Sequence, residues 1–255
     1  MLLLNLLAPI LALTLLQVTA DAPSTGAPTA GPQANANTVT LPTLTAEEIF
    51  ARLVEANKRR ARQLRGYVGR RSYSVDYRGF GGHKEATMVV TAHYSAPSEK
   101  RFEITSESGS GILRGKVLHK LLESEKEAAS AEHQSRTAMT PDNYSLTLVG
   151  IDETPNGGCY RMKAVPKRKD KFLYDGEICV NGRDFAVEMI DAEPAKNPSF
   201  WTKNVRIEHR YRKHGDLWLP ESNRSTTKVR LGGTAILTIE YTEYQTQAAE
   251  HVASR

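Results

Sequence analysis

Only two cysteines occur in 255 residues, which excludes a disulfide-dense scaffold and a zinc site built from four thiolates. Catalytic signatures are missing as well: there is no Gly-x-Ser-x-Gly, no His-Glu-x-x-His and no phosphate-binding glycine loop. No nucleophile–base pair can be named, so the expectation is a protein that is not an enzyme and needs neither cofactor nor metal. With 18 glycines and 12 prolines, a collagen-like chain is excluded. Hydrophobic residues at 40% and charged residues at 25% are globular values, which leaves out a disordered chain, a coiled coil and a multi-span membrane protein. The net charge of +5 is a weak pointer to an anionic partner.

The first residues are apolar and uncharged from Leu2 to Val18, and small residues follow at Thr19, Ala20 and Ala22. This pattern reads as a secretory signal peptide over residues 1–22, although no Lys or Arg precedes the apolar run. The run is slightly short for a membrane span, so a retained anchor is the alternative. No cysteine follows it, so no lipid attachment is expected. Residues 23–44 carry no charge and four prolines stand at Pro23, Pro28, Pro32 and Pro42, which reads as a flexible Pro/Ala/Thr-rich tether. A single domain over residues 45–245 and a disordered tail over 246–255 complete the expected organisation.

The domain opens with a helix. Thr45 and Glu48 form a capping box, Leu44 and Ile49 take the staple positions, and Ile49, Leu53, Ala56 and Leu64 follow at helical spacing. The opposite face carries Arg52, Lys58, Arg59, Arg62 and Arg65. After Gly66 the period becomes two, with three strands centred on Tyr73, Met88 and Phe102. A second helix is expected from about Ser110 to His133, with an apolar stripe at Val117, Leu118, Leu121 and Leu122. Further strands centre on Leu146, Met162, Ile178, Val187, Ile207, Leu217–Leu219 and Leu237. Ten antiparallel strands in one layer must curl, because twist accumulates. The expected architecture is therefore mainly β with two helices: an open half-barrel whose concave side the helices cover.

Cys159 and Cys179 flank a hairpin that turns near Lys169. If Cys159 faces Cys179, Arg161 faces Glu177, Lys163 faces Asp175 and Tyr160 meets Ile178, so one register satisfies thiols, charges and apolar face together. A disulfide is then expected in an exported protein. Free or redox-active thiols are the alternative, but no Cys-x-x-Cys exists.

Helix, three strands, helical insertion and long meander behind a signal peptide resemble the LolA/LolB-like group of lipoprotein carriers and the related N-terminal domain of the RseB regulator. Tyr94-Ser95-Ala96-Pro97 followed by Arg101-Phe102, the stretch Gly215-Asp216-Leu217-Trp218-Leu219-Pro220, and the closing strand Thr234–Tyr244 carry the resemblance. It implies a periplasmic carrier whose concave face binds the acyl chains of lipids or lipoproteins. The inward row supplies Tyr73, Val75, Met88, Val90, Phe102 and Ile104 on the first strands. Tyr160, Met162, Ile178, Phe185, Val187 and Met189 continue it, and Val205, Ile207, Leu237 and Ile239 complete it. Leu118, Leu121 and Leu122 would face it from a lid helix. Taken alone these residues also read as plain core; the resemblance favours a cavity. In the resembled carriers an Arg near the start of the sheet helps hold the lid closed, and no residue here matches it by motif. Arg71 is either a buried substitute or a rim cation that snorkels. The competing function is an RseB-like sensor that docks an envelope membrane protein without transport.

Other groups read as structural. His119 and Glu123, four apart on a helix, fit surface pairing better than metal ligation. His209 in an apolar row reads as a satisfied interior histidine. Lys167, Arg168, Lys169 and Lys171 at a hairpin tip, and Arg206, Arg210 and Arg212 along one strand, read as solvated surface. No aromatic platform interleaves these charges, so nucleic acid is not an expected partner. A monomer is expected.

Overall fold

A computed structural model describes residues 41–198, 202–230 and 232–248. The segment read as a signal peptide and most of the tether lie outside the described residues. The tether's end does not: Leu41 is buried against Gly182, and the Pro42 carbonyl accepts a hydrogen bond from the Tyr160 hydroxyl at 2.7 Å. The packed domain thus begins a few residues before Thr45.

Helix α1 spans Ala46–Gln63. Its capping box forms as the sequence requires, with Glu48 N–H donating to Thr45 Oγ1 and Thr45 N–H donating to Glu48 Oε2. Ile49, Phe50, Leu53 and Ala56 are buried on one face. Strands β1 (Leu64–Gly79), β2 (Gly82–Ser95) and β3 (Glu99–Gly109) follow as a meander. The β1–β2 turn needs the left-handed region, and glycine supplies it, with φ of 95° at Gly81 and 90° at Gly82. The second helical segment is longer and more broken than its apolar stripe implies. A short turn α2 (Gly111–Leu113) runs into a π-helical turn at Arg114–Leu118, then α3 (His119–Ala129), a break at Ser130, and α4 (Ala131–Thr137). Strands β4 (Tyr144–Asp152), β5 (Cys159–Pro166), β6 (Tyr174–Asn181), β7 (Val187–Pro194), β8 (Thr202–His214), β9 (Leu217–Val229) and β10 (Gly233–Ala248) complete the fold. The last strand runs past the expected boundary at residue 245.

All ten strands form one antiparallel sheet in the order β3-β2-β1-β10-β9-β8-β7-β6-β5-β4, open between β3 and β4. The expected half-barrel is the observed architecture. Registers link one row of inward positions across it: Met88, Tyr73, Ile239, Asn223, His209, Ile190, Ile178, Met162 and Leu148. Two large apolar clusters pack on this face. One joins α1 to β4–β8; the other joins the α2–α3 segment to β1, β2 and β10.

The disulfide forms between Cys159 and Cys179, with Cα atoms 5.6 Å apart, but in a different register from the expected one. Cys159 pairs with Asn181, Arg161 with Cys179, Lys163 with Glu177 and Tyr160 with Val180. The shift is two residues, so every side chain keeps its face, and the thiols bridge diagonally. Both expected ion pairs survive as diagonals, Lys163–Asp175 at 2.7 Å and Arg161–Glu177 at 3.6 Å.

Candidate functional site: the concave face and its lid

The concave face holds most of the apolar residues named from the sequence. Tyr73, Val75, Met88, Val90, Tyr160, Met162, Ile178, Val187, Val205, Ile207, Leu237 and Ile239 are all buried in it, with Leu118, Leu121 and Leu122 packed down from the lid. Phe102 is partly buried at the edge of the lid cluster. Three residues differ. Met189 pairs with Cys179 and Arg210 on the outer face, because an irregularity between Cys179 and Val180 gives the inward place to Ile190. Phe185 sits in the turn before β7 with φ of 53°, its ring near Tyr160 and under the Arg52 guanidinium. Ile104 lies on the edge strand beyond the lid and is 43% exposed.

A charged cluster ties α3 to the sheet. Arg71 is 1% exposed, which overturns the rim alternative. Its Nη1 donates to Glu125 Oε2 of α3 at 2.6 Å, and its Nη2 donates to the Tyr67 hydroxyl at 2.8 Å. Lys100 Nζ from β3 reaches the same Glu125 oxygen at 2.8 Å, and the Tyr73 hydroxyl donates to Oε1 at 2.9 Å. Arg71 also lies over the rings of Tyr241 and Phe102 at 4.9 and 5.3 Å. Burial works against the Glu125 carboxylate, but Lys100, Arg71 and Tyr73 more than offset it and hold its pKa below the usual value. Burial pushes the Lys100 ammonium down to about 7 despite Glu125. Glu125 stands outside the residues singled out from the sequence. The signal was its place on the apolar stripe: Leu118, Leu121, Leu122 and Glu125 share one helical face.

Between the two apolar clusters the concave face is polar. Asn223, Ser225 and Thr227 of β9 are each 1% exposed, and His209 of β8 is fully buried beside Asn223. The His209 ring stacks on Tyr211 at 4.4 Å. Among the described residues neither ring nitrogen of His209 has a protein partner, and the same holds for Asn223 Oδ1 and Nδ2, Ser225 Oγ, Thr227 Oγ1 and the hydroxyls of Tyr211 and Tyr241. His209 is thus interior as expected, but no described residue bonds its ring nitrogens. Its burial pushes the imidazole pKa down to about 3, so the ring is neutral.

No protein-family model and no curated protein matches the chain. Solved structures do align with it. A DUF1329 family protein from Desulfovibrio piger aligns over 84% of this chain and 96% of its own at 12% identity, with a TM-score of 0.42. A domain classed with outer membrane lipoprotein-sorting proteins, from Vibrio parahaemolyticus, covers 81% and 95% at 9% identity and a TM-score of 0.40. A LolA superfamily protein from Nitrosomonas europaea covers 82% and 96% at 10% identity and a TM-score of 0.33. The group named from the sequence is thus among the structures that the chain aligns with.

Other ionic groups have local roles. His119 pairs with Glu107 and Glu123 with Lys120, so these two do not converge on a metal. Asp76, His83 and Glu85 do cluster on the outer face, but Arg78 already occupies Asp76 through two contacts of 3.1 Å. Arg206, Arg210 and Arg212 point outward; Arg206 pairs with Asp191 and Arg212 with Glu221. An outer cavity of about 580 Å³ is lined by Lys163, Asp175, Glu177, Asp191 and Arg206 among others. Its charge does not suit acyl chains.

Proposed function

We propose that this chain is an exported carrier that shields acyl chains of lipids or lipoproteins within the half-barrel, in the service of outer-membrane lipoprotein sorting. Residues 1–22 direct export, and the carrier works as a monomer in the periplasm.

The observation that carries this reading is the way the lid is fixed. The apolar surface of β1, β2 and β10 is covered by the α2–α3 segment, and at the tip of its apolar stripe a carboxylate meets two cations of the sheet. A buried ion pair pays a large desolvation penalty, so it stabilises the closed form less than an apolar seam of equal volume. On opening, Glu125, Arg71 and Lys100 all regain water. A helix held this way can leave the sheet at lower cost than one held by leucines alone, and it bares Met88, Val90, Tyr73 and Ile239 when it does. The π-helical turn at Arg114–Leu118 gives the segment a second compliant point.

The test is to export the full chain into a bacterial periplasm, purify it without detergent and record native mass spectra with lipid extraction. Stoichiometric lipid or acylated peptide is the expected result. A clean apo mass together with no uptake of a fluorescent acyl probe overturns the carrier and leaves the docking module.

A further inference from the structure

Strand β9 interrupts an otherwise apolar concave face. Ser225 lies between Ile207 of the α1 cluster and Leu237 of the lid cluster, and Asn223 lies between His209 and Ile239. Thr227 continues the line opposite Ala235. Two apolar lobes therefore flank one polar seam. The seam is sealed from solvent, and its amide and hydroxyl groups have no protein partner among the described residues.

Buried polar groups in folded proteins are almost always paired, so a whole line of unpaired ones asks for something that pairs them. The chemistry of the line narrows what that is. Asn223, Ser225, Thr227, Tyr211 and Tyr241 are uncharged and together rich in N–H and O–H donors. His209, deprotonated by burial, adds no charge. The nearest charged groups are already engaged: Arg71 donates through both terminal nitrogens, and Lys100 bonds Glu125. The seam itself holds no charged side chain; the surplus cation of the Arg71–Lys100–Glu125 cluster lies beside it, under α3. Carbonyl oxygens, which only accept, match the seam.

We propose that the seam binds the ester carbonyls of a two-chained acyl ester, of the diacylglyceryl type, with one chain in each apolar lobe. This rests on the acyl-carrier reading and names the part of the cargo the carrier reads. A single-chain or carbonyl-free amphiphile fills the lobes but leaves Asn223 and Ser225 unpaired, at the full penalty of buried unmade hydrogen bonds.

The experiment compares two probes of equal length and apolarity, a 1,2-diacylglycerol and the matching 1,2-dialkylglycerol ether, with palmitate as the anionic single-chain control. The wild-type chain is expected to bind the diester about ten-fold more tightly than the diether, the value of two ordinary hydrogen bonds. Asn223→Leu and, as the milder change, the pair Ser225→Ala with Thr227→Val should erase that preference while diether binding persists. Because these side chains have no protein partner, the variants should melt at or above the wild-type temperature. Equal binding of diester and diether by the wild type, or tighter binding of palmitate, overturns the proposal and leaves the carrier intact. Retained ester preference in folded variants overturns it too. If none of the probes binds, the carrier reading itself falls, and this inference with it.

Discussion

Lys100 and Arg71, from strands β3 and β1, place their nitrogens on one oxygen of Glu125, and all three side chains are sealed from solvent. Two cations share one carboxylate. The pair is therefore not balanced by itself, and the imbalance sits under the lid helix rather than at the rim.

Removing the shared carboxylate should release the lid. Glu125→Gln keeps the shape but leaves Arg71 and Lys100 buried without a counterion. The expected loss is about 3–5 kcal/mol in thermal or denaturant unfolding, with faster uptake of an acyl probe. Unchanged stability and uptake would show that α3 is held by its leucines alone.

Removing one cation should do the reverse. Lys100→Met leaves Arg71 and Glu125 as a one-to-one pair and fills the space with an apolar stem. In the wild type the ammonium has a folded pKa of about 7, against its ordinary value of 10.5. The unfolded chain binds more protons between those values, so wild-type stability should rise as pH climbs from 7 towards 10.5. Denaturant midpoints of the variant should be flat in that window, and its probe uptake slower.

His209 sets an acid limit. Its pKa of about 3 lies below the ordinary 6.5, so between those values the unfolded chain is protonated there and the folded chain is not. Stability should fall as pH drops below 6.5, at about 1.4 kcal/mol per pH unit from this group. Glu125, whose pKa is lowered, adds loss in the same direction as it approaches protonation. His209→Gln should flatten the upper part of that slope, between pH 6.5 and about 5, in denaturant midpoints taken across pH.

The bridge between Cys159 and Cys179 closes a loop of 20 residues. Chain entropy puts its contribution at about 3 kcal/mol. Cys159→Ala with Cys179→Ala should lower the unfolding free energy by that order, and reductant should have no effect on the variant.

The strands announced themselves through alternation, and each expected strand has its counterpart. What alternation could not report is a shift by two, since that keeps every side chain on its face. The β5–β6 pairing was therefore misplaced by two residues while Arg161 and Lys163 still found their acids. Alternation marks β9 only at Leu217–Leu219, because Asn223, Ser225 and Thr227 look no more apolar than their neighbours Ser222, Arg224 and Thr226. The same polarity that hid the strand makes it the seam. Arg71 and Glu125 stand 54 residues apart, and no spacing rule joins a strand cation to a helix acid at that distance.

The first and last strands, β1 and β10, lie side by side, so the free edges belong to β3 and β4. The chain passes from one edge to the other through residues 110–143, whose helices lie between Gly111 and Thr137. Geometrically that segment is a chord drawn across an arc. A curved sheet cannot widen its mouth while its chord keeps its length. Mouth width and helix integrity are thus a single variable, governed by the two joints at Arg114–Leu118 and Ser130, and any guest large enough to spread the edges has to spend its binding energy there.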